Sequence, residues 1–81
     1  MAFPRRERNY IRAEVVSNPS ILTGEPCVSG TRVPAMTIVE ELRAGETLPT
    51  IFHHYPSLPF DGVEAVEKWA RDNGISLEPT R

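Results

Sequence analysis

Residues 24–34 read Gly-Glu-Pro-Cys-Val-Ser-Gly-Thr-Arg-Val-Pro. Two glycines and two prolines fall within eleven positions. Glycine opens positive φ and proline fixes φ near −65°, so few backbone paths satisfy all four. Short apolar steps at Cys27-Val28 and Val33 lie between them. The stretch therefore predicts a small β-hairpin or β-corner that hands over to a helix after Pro34. An extended lead-in is expected before it and helices after it.

Short strands are expected at about 11–16, 20–22 and 27–33, separated by the turn cluster Ser17-Asn18-Pro19-Ser20. Strands this short are weak alone, and their open edges call for cover. Pairing two copies through the β element would supply it, so a homodimer is expected.

Three helices follow. The first has its core at 36–44 and is closed by Gly45; Ala35, Ile38, Val39 and Leu42 share one side. The second is capped by Thr47, carries Pro49 in its first turn and ends before Pro56. Its apolar stripe is Leu48, Ile51, Phe52 and Tyr55. The third runs from Pro59 or Phe60 to Asn73 and stops at Gly74. Phe60, Val63, Val66 and Ala70 form its buried stripe, with Trp69 at the edge. Asp61, Glu64, Lys68, Arg71 and Asp72 cover the opposite side. Gly62 in its first turn should cost about 1 kcal/mol if fully helical. Ile75 and Leu77 are expected to fold back from a short tail, 75–81.

Eighty-one residues suffice for one small domain. We divide the chain into a basic arm (1–9), a β-plus-three-helix domain (10–74) and the tail. The net charge of −2 is uneven: residues 1–13 hold four arginines and one glutamate, leaving −5 on the remainder. A basic lead-in on an acidic body suits phosphate or an acidic partner. The lone Cys27 cannot close an internal disulfide, which fits a reducing, cytoplasmic setting. No apolar run approaches the roughly 20 residues of a membrane span, and the polar start lacks the apolar core of a signal peptide.

Catalytic and metal patterns do not assemble. His53 and His54 are adjacent and diverge by about 100° on a helix, so they do not chelate one ion together; one surface and one half-buried histidine are expected. No nucleophile–base pair can be placed. Gly24 to Gly30 lacks the lysine of a phosphate-binding loop. The chain reads as a non-enzyme with no cofactor, no metal and no small-molecule substrate.

Three short helices joined by tight turns form the pattern of a helix-turn-helix, whose last helix would enter the major groove. That helix carries Asp61, Glu64, Glu67 and Asp72 against Lys68 and Arg71, the wrong balance for neutralising phosphates. Arg5, Arg6, Arg8, Arg12 and Arg32 are the better DNA-contact candidates. For Arg32 a structural role is expected first, an ion pair with Glu40 or Glu41.

The run Pro19-Ser20-Ile21-Leu22-Thr23-Gly24-Glu25-Pro26-Cys27-Val28-Ser29-Gly30-Thr31-Arg32-Val33-Pro34, continued by Ala44-Gly45 and Tyr55-Pro56 with Leu58, resembles the signature of the domain-of-unknown-function family number 433. The resemblance covers about residues 10–74 and rests on Gly24, Pro26, Gly30, Thr31 and Arg32. It implies a mainly α fold with a small N-terminal β element and a homeodomain-like helix-turn-helix. It also implies a VapB-type antitoxin that neutralises a PIN-like nuclease toxin and represses its own promoter. A stand-alone DNA-binding regulator and a dimerisation module that binds no DNA are the alternatives. The chain departs from the family pattern at Pro59, Gly62 and Glu67 of the third helix.

Overall fold

A computed structural model describes residues 12–79. Two strands and three helices follow in order: β1 (Val15–Val16), β2 (Cys27–Val28), α1 (Ala35–Arg43), α2 (Leu48–His54) and α3 (Gly62–Asp72). The described residues make a mainly helical body with a two-stranded antiparallel sheet near its N-terminal end. Val15 faces Val28 and Val16 faces Cys27. On its other side Cys27 bridges Pro34. No helix among the described residues is long and apolar enough to cross a membrane.

The helices form where the apolar spacing and stop residues place them. Ala35, Ile38 and Val39 of α1 are buried, and Leu42 packs against the same core. The Thr47 hydroxyl accepts the Thr50 N–H at 3.4 Å to cap α2, with Pro49 in the first turn. The end of α3 is a Schellman motif. Gly74 takes φ 69°, and Ile75 N–H returns to the Ala70 carbonyl at 2.8 Å. That turn brings Ile75 onto the core, and Leu77 joins it, as the sequence leads one to expect. The α1 end at Gly45 is built alike, with Glu46 N–H on the Glu41 carbonyl.

One apolar core joins both layers. Ile38, Ile51, Val28, Val39 and Val66 are fully enclosed. Helix α3 packs on α1 and on both strands, so it closes the core from one side.

The structure corrects several expectations. The expected strand at 20–22 is a tight turn: Leu22 and Thr23 sit at φ 50° and 52°, a left-handed geometry no strand uses. The first strand is only two residues long, and Ile11 lies outside the described residues, as does the arm with Arg5, Arg6 and Arg8. Phe60 is 77% exposed instead of joining the α3 stripe, because the helix begins two residues later, at Gly62. Leu48 is 52% exposed, since it precedes the turn of α2 that meets the core. Both histidines are exposed. Asp61, expected on the outer side, is buried.

Gly62 has a packing role that helix propensity hides. A Cβ there would lie 3.0 Å from Leu58 Cδ2 and 3.3 Å from Pro59 Cδ. Leu58 is itself buried against the core, so it has little room to yield. Replacing an exposed helical glycine by alanine ordinarily stabilises by about 1 kcal/mol. Gly62→Ala should fall short of that gain in urea denaturation; recovery of the full amount would show that Leu58 moves freely.

Candidate binding surfaces

The glycine- and proline-bracketed turn of the sequence becomes a cross-braced corner. Val28 N–H donates to the Val33 carbonyl at 3.0 Å, closing a loop over residues 29–32. Inside it the Thr31 hydroxyl donates to the Val28 carbonyl at 2.8 Å and accepts the Val33 N–H at 3.0 Å. Gly30 supplies the positive φ, 78°, with no heavy atom within 4 Å of where a Cβ would stand. Ser29 takes both main-chain groups of Glu14: its N–H donates to the Glu14 carbonyl and its hydroxyl accepts the Glu14 N–H. Thr31 and Ser29 are thereby committed to the scaffold.

The preceding loop is tied just as closely. The Ser17 hydroxyl donates to the Gly24 carbonyl, and Asn18 receives the N–H groups of Ser20 and Ile21. Left-handed Leu22 and Thr23 each cost about 1–2 kcal/mol. The Gly24 and Glu25 N–H groups, bonded to Ile21 and Leu22, offset part of it.

Arg32 projects from this corner into solvent. It makes no ion pair among the described residues. The expected partner Glu41 instead meets His54 Nδ1 at 3.0 Å, linking α1 to α2. Arg32 lines an open cleft of about 540 Å³ with Ile21, Gly30, Thr31 and Ser57. Its guanidinium is a fixed donor fork on a rigid turn, able to take a carboxylate or phosphate.

A second surface lies along the seam between the lead-in strand and α3. Buried Asp61, just ahead of α3, accepts the Ala13 N–H at 3.0 Å and fastens the lead-in to the helix. Two adjoining hollows, of about 310 and 270 Å³, share Arg12, Ala13, Ala65 and Lys68. Trp69 and Val15 wall one of them. At the solvent rim of this seam, Lys68 is tied to Asp72 at 3.0 Å. Of the arginines the sequence suggests for DNA, the described residues hold Arg12 and Arg32, on these two separate surfaces.

Among the described residues no three His, Cys, Asp or Glu side chains gather as a metal site. Cys27 is buried and donates to the Glu25 carbonyl. Burial pushes its thiol up, Glu25 adds to the shift, and Arg32 opposes it. Sequence reasoning missed Asp61. An acid just before a helical glycine reads as a solvated cap, and only the return of Ala13 from 48 positions away reveals its partner.

Three outcomes follow. Asp61→Ala leaves the Ala13 N–H without its acceptor and should cost about 1–3 kcal/mol by chemical denaturation. Arg32→Ala touches no bonded group and should melt within about 0.5 kcal/mol of the parent. The folded state holds the Cys27 proton more tightly than the unfolded chain, which ionises near pH 8.5 or so. Stability should therefore fall as pH rises above that value, and Cys27→Ala should lose this component of the slope.

Comparison with known proteins is consistent with the signature. Residues 15–70 match the family described as "Protein of unknown function (DUF433)". The chain is similar to "Uncharacterized protein y4eO" of Sinorhizobium fredii (strain NBRC 101917 / NGR234), with 34% identity over 64 residues. That match covers 79% of this chain but only 29% of the relative's length. No solved structure matches. The corner built by Gly24, Pro26, Gly30, Thr31 and Arg32 lies inside the matched residues, and the chain belongs to the DUF433 family.

Proposed function

We propose that the chain is a binding module acting as the antitoxin of a bacterial toxin–antitoxin pair, silencing a PIN-like nuclease toxin encoded beside it in the cytoplasm. The observation that carries this reading is the charge on α3. Glu64, Glu67 and Asp72 face outward there against Lys68 and Arg71, and Lys68 is already neutralised by Asp72. Such a face repels a phosphodiester and suits the basic surface of a protein that handles nucleic acid. The role needs no catalysis, cofactor or small-molecule substrate.

In this reading α2 and α3 form the helix-turn-helix of a homeodomain-like trio. Operator binding is the second reading, favoured by exposed Arg12 and Arg32, which lack ion pairs among the described residues. A homodimer of the β element would use apolar Val16 and Leu22, 41% and 39% exposed, at its loop end. Doubling the module doubles the arginines offered to DNA.

Co-expression with the adjacent reading frame tests the leading reading. Induction of that frame alone should arrest growth, and this chain should restore it and co-purify with the product. A harmless neighbour, or toxicity that persists beside abundant folded chain, overturns it. A gel shift on the upstream region over a salt series tests the second. Operator binding requires a shift that weakens with salt, and Arg32→Ala should reduce it.

A further inference from the structure

We propose that the seam between β1 and α3 receives an extended basic strand of the protein partner, added to the open edge of β1. This rests on the reading that the chain binds a protein and specifies where and in what form.

The edge is set by register. Glu14 exchanges hydrogen bonds with Ser29, both inward toward β2. Main-chain groups alternate sides along a strand, so those of Val15 point outward. Val28, opposite Val15, agrees: its N–H and C=O turn away from β1 to Val33 and Thr31. The outward N–H and C=O of Val15 have no partner among the described residues. Two residues earlier on the same side, Ala13 N–H is held by Asp61, so α3 begins beside this edge.

The groove between edge and helix has the chemistry of a strand-addition site. Val15, Ala65 and Trp69 give an apolar floor for alternate side chains. Taken over both hollows, with Lys68 and Asp72 paired, the rim keeps a surplus of one acid: Glu14, Glu64 and Glu67 against Arg12 and Arg71. A strand alternating apolar and basic residues satisfies the floor, the edge and the rim together.

Trp69 is the only tryptophan, so its emission reads the groove directly. The probe is the capped decapeptide (Val-Lys)5, titrated into the full chain at near-physiological salt, with amide shifts followed by NMR. A saturable change in Trp69 emission is expected, with shifts centred on 13–15 and 65–72. Two controls should bind about tenfold more weakly. These are (Val-Glu)5, which meets the acidic rim, and an equally charged peptide with proline at alternate positions, which cannot donate to the edge. Ala65→Gln, which fills the floor at only a small cost in helix propensity, should lose binding by a similar factor. The proposal is overturned by equal binding of either control, by shifts centred on the Arg32 corner, by no saturable change, or by a homodimer that buries the Val15 amide. The assay needs no toxin, so its failure leaves the antitoxin reading standing, and a failed co-expression test leaves the groove result intact.

Discussion

The hydroxyl of Thr31 holds the corner on which the rest of this molecule is arranged. It supplies a donor to Val28 and an acceptor to Val33 at the point where the chain turns from sheet to helix. Without it, the Val28 carbonyl would keep the Thr31 N–H, but the Val33 N–H beside a buried strand would lose its acceptor, which costs about 1–3 kcal/mol if it stays unsatisfied. With the turn closed, Ala35 N–H reaches the Pro26 carbonyl, and α1 starts with its apolar side already against the core. Gly30 makes the bend possible, and Arg32 is left outside it with its guanidinium in solvent.

That corner also explains why the sheet stays two strands wide. β2 spends one side on β1 and the other on Val33 and Pro34. β1 therefore has one satisfied side and one outward side. Helix α3, fixed to the lead-in through Asp61, packs on both strands and borders a hollow with β1. A groove with an apolar floor and the Val15 main-chain donor and acceptor at its lip is the consequence. Gly62 belongs to the same arrangement, because its missing Cβ lets Leu58 and Pro59 close over the start of α3.

Charge divides the surface into electrostatically different parts. The corner shows a guanidinium with no ion pair among the described residues; the outer side of α3 shows carboxylates, one of them neutralised by Lys68. A single partner touching both would have to present acidic and basic patches a fixed distance apart. A protein surface meets that condition more readily than a uniformly charged duplex, whose phosphates would be repelled from α3. This asymmetry is the physical ground for reading the module as a protein-binding one first.

Local chemistry alone determined much of the fold: the three helices, their stops at Gly45 and Gly74, the Thr47 cap and the buried set Ile38, Val39, Ile51, Val63, Val66 and Ala70. These depend on neighbours within a few residues, which spacing and propensity report. The DUF433 signature was legible too, since Gly30-Thr31-Arg32 encodes its own turn. Tertiary structure decided much of the rest. The pairing of Glu41 with His54 instead of Arg32 and the burial of Asp61 beneath Ala13 depend on segments apart in the chain, while the exposure of Phe60 and the left-handed turn at Leu22-Thr23 are local outcomes that spacing alone did not report. Which of two polar groups finds a partner is settled only when those segments meet, because burial, not residue type, sets the cost of leaving a donor or acceptor alone.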